Sequence, residues 1–356
     1  MKNINRIVTG VLLLGFAALV SSCSDWTDME SLEIKQPTID EQNPALYAAY
    51  LASLKAYKQT DHKIVYATFD NREKTPGTRA QHISILPDSL DIVSLQSAEL
   101  DARELDEIAQ VRTKGTRVVY TISYESIRAQ YDIDKAAFDA AQVKPAEDAG
   151  EETPPVPTFM PFGDYLTAHL DTQIARCDQF SFDGLTFSYT GRALLTLPEA
   201  QKEEHLANQN ILLTKVGEWA AAHPSKLLIF EGVTANLADR ALLAKCSYII
   251  VPTLDVNNVY ALDQRVLQAL VADVPTQHIL VGARPFSLDK EDLLTGYFAD
   301  GSPAVLSTAY WIVNKTARYT KAGLAIYDVQ TDYFYRTSIY KYTRGAIDIM
   351  NPSAKN

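Results

Sequence analysis

Between residues 63 and 328 the chain repeats one pattern: a short apolar run rich in β-branched residues, then a longer stretch mixing apolar and charged positions at helical spacing. The runs are Lys63 to Phe69, Leu90 to Leu95, Arg117 to Tyr124, Phe182 to Tyr189, Lys226 to Glu231, Ser247 to Pro252, His278 to Ala283 and Gly323 to Asp328. Helical spacing is read over Ser97 to Val111, Phe162 to Cys177, Glu199 to His223, Asn236 to Ala244, Ala261 to Val271 and Leu288 to Phe298. An opening amphipathic helix is expected over Pro44 to Gln59, where Tyr47, Tyr50, Leu51, Leu54 and Tyr57 share one face. Eight strands separated by helices are the count of a closed barrel, so the predicted fold is α/β, a single-domain (β/α)8 TIM barrel over residues 44–356. A doubly wound open sheet is the alternative, disfavoured because no glycine-rich phosphate fingerprint follows the first strand.

Two segments break the pattern. Residues 144–161 hold five of the sixteen prolines together with Glu147, Asp148, Glu151 and Glu152, a composition that cannot bury apolar surface. They read as an excursion, at about residues 140–161, from the loop after the third strand. At the N-terminus, Lys2 and Arg6 precede an apolar run from Ile7 to Val20, too short to cross a bilayer, and then Val20-Ser21-Ser22-Cys23. That order resembles a bacterial lipobox, which implies cleavage of residues 1–22 and acylation of Cys23. Residues 23–43 then form an acidic linker, in which Ser24-Asp25-Trp26-Thr27-Asp28-Met29-Glu30 resembles the surface-export signal of Bacteroidetes lipoproteins. The implied location is the outer membrane, held by the lipid anchor and facing the cell exterior.

Composition narrows the chemistry. The net charge is −11, or −13 once Lys2 and Arg6 are removed, and no basic stripe offsets it, so nucleic acid is not an expected partner. Three cysteines cannot form a disulfide framework, and Cys177 and Cys246 read as buried small hydrophobes. The six histidines show no ligand spacing, so neither a metal nor another cofactor is expected. No Gly-x-Ser-x-Gly elbow marks a serine hydrolase.

The fourth run, Phe182-Asp183-Gly184-Leu185-Thr186-Phe187-Ser188-Tyr189-Thr190, resembles the fourth-strand motif of glycoside hydrolase family 18, the chitinases and endo-β-N-acetylglucosaminidases. The first three strands resemble the same family's barrel. Its motif places Asp, Asp and Glu on alternate residues after an Asp-Gly pair, which a period of two turns into the barrel together. Here those positions are Thr186, Ser188 and Thr190. In the family the last acid protonates the leaving oxygen and the middle Asp orients the substrate's own acetamido group. An aliphatic hydroxyl has no pKa near neutrality and supplies no negative charge to an oxocarbenium-like transition state, so that mechanism is not expected to operate. The family's sixth-strand Tyr is also missing, since Val251-Pro252-Thr253-Leu254-Asp255 stands in its region.

The resemblance therefore implies a pseudoenzyme that captures glycans containing N-acetylglucosamine, such as N-glycans, alongside an outer-membrane transporter and other surface lipoproteins of an uptake system. Expected glycan contacts are the aromatics at strand ends and in the following loops, Tyr124, Tyr189, Tyr310 and Trp311, for stacking on sugar faces. Glu231, Asp255, Arg284 and Asp328 are expected to reach hydroxyls. Two alternatives stay open: an active glycosidase with relocated acids, Glu231 first among them, and a structural lipoprotein of a transport complex.

Overall fold

A computed structural model describes residues 39–142 and 157–352. Cys23, the expected signal peptide, the acidic stretch and most of the proline-rich excursion lie outside the described residues. Two compact units divide the chain at Tyr50. The first contains a helical turn, Ile39–Gln42, and the opening turns of helix α1, Pro44–Tyr57, whose remainder belongs to the second. On the expected apolar face of α1, Leu54 is buried, whereas Tyr50 is exposed.

The second unit is a closed barrel of parallel strands in sequential order: β1 Ile64–Phe69, β2 Ile92–Leu95, β3 Arg117–Ser123, β4 Gly184–Tyr189, β5 Leu227–Gly232, β6 Tyr248–Val251, β7 Ile279–Ala283 and β8 Lys321–Ile326. Each strand carries apolar residues on both faces, which buries one face against outer helices and the other inside the barrel. The outer helices are α2 Ala102–Thr113, α3 Tyr124–Gln142, α4 Phe162–Gln179, α5 Glu199–Ala222, α6 Val259–Ala269, α7 Ala304–Val313 and α8 Lys341–Met350. Local chemistry starts two of them. The Asp101 carboxylate accepts the Glu104 amide at 2.7 Å while Glu104 accepts the Asp101 amide at 2.9 Å, and the Asn258 side chain accepts the Ala261 amide at 3.0 Å. No helix among the described residues is long and apolar enough to cross a membrane.

Inside the barrel Tyr66, Ile92, Val119, Leu227, Ile229, Ile250, Leu280 and Ala325 pack into a cluster separate from the outer core. Gly323 permits β8 to close against β1, because a Cβ there would overlap the Ile64 carbonyl oxygen. At the N-terminal ends of the strands two aspartates tie neighbours together. Asp91 accepts the Val65 amide at 2.8 Å, and Asp183 accepts the Val118 amide at 2.8 Å and Arg112 Nε at 2.9 Å.

Helices α3 and α8 are absent from the pattern-based reading, and four further elements depart from it. Residues 236–244 do not form a helix; two short 3-10 turns, Thr234–Asn236 and Ala241–Lys245, stand there. Residues 288–298 are turns, because the Asp289 and Asp292 side chains accept the amides of Glu291 and Thr295 and offer the backbone an alternative to a helix. The helix after β7 is instead α7, whose apolar sequence AVLSTAYWIV carries no polar face to reveal it. Finally, β8 begins at Lys321, two residues early, so Tyr327 and Asp328 follow the strand rather than end it.

Candidate functional site

Near the C-terminal ends of the strands the inward residues change from apolar to hydroxylated. Thr68, Ser94, Thr121, Ser123 and Ser188, with Glu231 and Tyr327, line an open cavity of about 430 Å³ at the barrel mouth, with Arg72 and Gln96 at its edge. The hydroxyls bond one another across neighbouring strands: Ser94 Oγ lies 2.6 Å from Thr121 Oγ1. Beneath them the Tyr66 hydroxyl lies 3.3 Å from Thr186 Oγ1. Thr68 Oγ1 accepts the Asp328 amide at 2.9 Å, which holds the turn after β8 over β1.

Among the described residues Glu231 is the sole carboxylate lining this cavity, and it accepts the Tyr327 hydroxyl at 2.8 Å. Burial pushes its carboxyl above the ordinary range; the Tyr327 hydroxyl pulls it back part of the way, and the charge of Glu125 adds to the rise. Burial and the Glu231 charge together push the Tyr327 phenol far up, so it stays a donor. Gly282 makes room for this arrangement, because a Cβ on β7 would come within 2.7 Å of the Tyr327 ring.

The aromatic residues expected to stack on sugars are not gathered here. Tyr189 points outward, as strict alternation requires, and is wholly buried; its hydroxyl meets His205 Nε2 at 2.9 Å. Tyr124 opens α3 and packs edge-on against Tyr189, with ring centroids 5.1 Å apart. Helix α7 carries the chain back to the start of β8, which places Tyr310 and Trp311 at the far end from the mouth. Trp311 is buried there with the Lys321 ammonium 3.7 Å from its ring centroid, and Tyr310 is 60% exposed on the outer surface. The four expected stacking residues are therefore not gathered in one place: Tyr189 and Tyr124 pack between barrel and helices, and Tyr310 and Trp311 lie at the opposite end.

The polar candidates also separate. Glu231 alone lines the mouth. Asp255 binds Arg265 through two contacts, 3.0 and 2.6 Å, which hold its carboxyl below the usual range. It lines a second cavity together with Arg284, which donates to Asp328 at 2.8 Å. A third cavity, beyond β4, is lined by Tyr124, Glu125, Arg128, Thr190 and His205, among others. Neither Cys177 nor Cys246 is an activated nucleophile, because burial pushes both thiols up to about 12. No group of three His, Cys, Asp or Glu side chains among the described residues could hold a metal ion. The hydroxyls of β1, β2 and β3 escaped the sequence reading, although the alternation itself, Val119-Thr121-Ser123 and Tyr66-Thr68, signalled them. Tyr327 falls at a predicted strand end but is not among the expected glycan contacts, since no local pattern pairs it with Glu231.

Residues 27–349 match the family described as glycoside hydrolase family 18, BT1044-like. The chain belongs to family 18. Solved structures agree on the fold. An endo-β-N-acetylglucosaminidase from Cordyceps militaris in apo form is 19% identical, with a TM-score of 0.57 over 85% of this chain and 96% of that one. A selenomethionine variant of BT1044 is 14% identical, with a TM-score of 0.59 over 89% and 96%. A family 18 chitinase from Pseudoalteromonas aurantia is 10% identical, with a TM-score of 0.51 over 79% and 99%. A search of curated proteins finds no match.

Within this family 18 barrel the three positions of the motif occupy different surroundings. Thr186 faces inward and is fully buried below the mouth, and Ser188 lines the mouth itself. Thr190 lies beyond β4, where Glu125 Oε1 accepts the Thr190 amide at 2.7 Å and the Gly191 amide at 2.9 Å. Asn236 Nδ2 donates to the Thr190 carbonyl at 2.6 Å. The family 18 fold is compatible with either binding or cleaving glycans, and its members are usually enzymes.

Proposed function

We propose that this family 18 barrel captures glycans containing N-acetylglucosamine without hydrolysing them, as a lipid-anchored surface protein of an outer-membrane glycan uptake system. One observation carries the reading: hydroxyls stand at all three positions of the family's acids, and Glu231 is the one carboxylate among the described residues that line the mouth cavity. Cleavage needs a proton donor and, separately, negative charge that steadies the acetamido group or the oxocarbenium ion. Glu231 alone cannot supply both.

What remains suits binding. Ser94, Thr121, Ser123, Ser188 and Gln96 can each donate to and accept from sugar hydroxyls, and Glu231 with Tyr327 adds a strong acceptor beside a donor. With Tyr327 as the aromatic of the cavity, affinity rests mainly on hydrogen bonds, and micromolar binding, about −8 kcal/mol, is the expected upper range. The lipidated Cys23 would keep the barrel at the membrane, next to a transporter and companion lipoproteins that carry the glycan onward.

The test is a glycan array on the purified protein, with calorimetry on each hit and product analysis on chitin oligomers and N-glycoproteins. Binding without product supports the proposal. Absence of any hit would favour the structural lipoprotein, a reading to which the dispersal of Tyr124, Tyr189, Tyr310 and Trp311 lends support. Turnover would favour a relocated acid, for which the elevated pKa of Glu231 is the supporting observation.

A further inference from the structure

We infer that the mouth takes a primary ammonium, carried on an amino sugar, between Glu231 and the serines of the two strands before it, so that the captured glycan bears a free amino group at that position. Parallel register sets Ser123 of β3 beside Ser188 of β4, and Ser188 beside Glu231 of β5. Neighbouring strands lie about 4.8 Å apart, and all three side chains line the same cavity of about 430 Å³, so they form one row across its wall. The row has open acceptors. Glu231 engages one oxygen with the Tyr327 hydroxyl, and neither its other oxygen nor Ser188 Oγ makes a hydrogen bond to a described residue. Ser123 Oγ accepts the Ser126 amide at 3.1 Å and keeps a second lone pair.

Charge decides which ligand suits this row. The titratable and charged groups around Glu231 are Tyr66, Tyr327, Glu125 and two arginines, Arg72 at the edge of the cavity and Arg284 near Tyr327. Burial pushes both phenols up, so they carry no charge. Asp70 holds Arg72 through contacts at 2.8 and 2.5 Å, and Asp328 holds Arg284 at 2.8 Å. Each arginine is thus matched by an aspartate, and among the described residues nothing balances Glu231. A carboxylate withdrawn from water without a partner is costly, and a ligand cation removes that cost. A primary ammonium has three N–H donors and no acceptor, which matches the free Glu231 oxygen, Ser188 Oγ and Ser123 Oγ. A sugar hydroxyl can bond the same row without balancing its charge. An acetamido group adds no charge either, and its methyl meets a hydroxylated wall. The ammonium follows from the cavity alone; a sugar as its carrier rests on the glycan reading above.

The experiment is calorimetry on the purified full chain at pH 6.5 with methyl β-glucosaminide, methyl N-acetyl-β-glucosaminide and methyl β-glucoside. The amino glycoside should bind about 5- to 30-fold more tightly than either neutral one, the margin of a charged over a neutral hydrogen bond. Glu231→Gln should bring that ratio to about one. Ser188→Ala should weaken the amino glycoside about 3- to 10-fold, the worth of one hydrogen bond. Glu203→Gln removes an exposed acid on α5 that does not line the cavity and should keep the full preference, which separates the site from the general attraction of an acidic protein for a cation. Binding of N-acetylated glycans with no preference for the amino glycoside removes the ammonium site and leaves the glycan reading. A preference abolished by Glu231→Gln, with no N-acetylated glycan bound on the array, does the reverse. Equal or weaker binding of the amino glycoside, no binding of any of the three, a preference that survives Glu231→Gln or is lost in Glu203→Gln, or unchanged affinity in Ser188→Ala would overturn the proposal.

Discussion

Replacing Glu231 by Gln separates the electrostatics of the mouth from its shape. The amide oxygen can still accept the Tyr327 hydroxyl, 2.8 Å away in the wild type, so the variant loses the charge and little else. A carboxylate raised by burial holds its proton more tightly folded than unfolded. Between the ordinary value of 4.5 and the folded value the unfolded chain therefore binds fewer protons, and stability falls as pH rises. The stability that protonated Glu231 contributes is complete below the ordinary value and is lost as pH climbs through the folded one. Because the carboxyl sits in an open cavity, solvent moderates the effect, and Glu231→Gln should stabilise the protein by about 1 kcal/mol at pH 7 and by less at pH 4. Affinity moves the other way. Hydrogen bonds to charged groups contribute about 1.5–3 kcal/mol against about 0.5–1.5 for neutral ones, so a glycan bound through Glu231 should bind about 5- to 30-fold more weakly at pH 7. Thermal melts from pH 4 to pH 8 and calorimetry on an array hit measure the two effects. Parallel melting curves for wild type and variant would refute the protonation argument, and wild-type turnover abolished in the variant would refute binding without hydrolysis.

Trp311→Ala should leave glycan affinity unchanged while costing about 3–5 kcal/mol in stability, because the ring covers the Lys321 ammonium at the end away from the mouth; weakened binding by a folded variant would contradict its placement. Asp332→Ala should lower stability by about 1–3 kcal/mol, since this buried carboxylate accepts the Tyr342 and Thr343 amides at 3.2 and 2.7 Å at the start of α8; an unchanged denaturation midpoint would show that those amides find other acceptors. Gly323→Ala should give no soluble folded protein, as its Cβ would overlap the Ile64 carbonyl where the barrel closes, and a native circular dichroism spectrum and melting point would count against that register. Cys23→Ala should shift the protein from the membrane to the soluble fraction, with retention in membranes indicating an uncleaved signal or a partner that holds it.

Residue types alone determined that the motif's three acid positions carry no carboxyl group: Thr186, Ser188 and Thr190 cannot act as acids in any fold. Periodicity alone determined the barrel, because a run buried on both faces and a helix buried on one leave different marks on neighbouring residues. Neither could show which side chains meet. Glu231 and Tyr327 are 96 positions apart and share a cavity only because the barrel closes, which brings the end of β5 and the residue after β8 to one mouth. Tyr189 and Tyr124 read as surface aromatics until helices from other parts of the chain cover them. A strand's period records which face each residue occupies, but what lies opposite that face is set by the closing of the barrel and by elements dozens of residues away, whose arrangement leaves no trace in the local pattern.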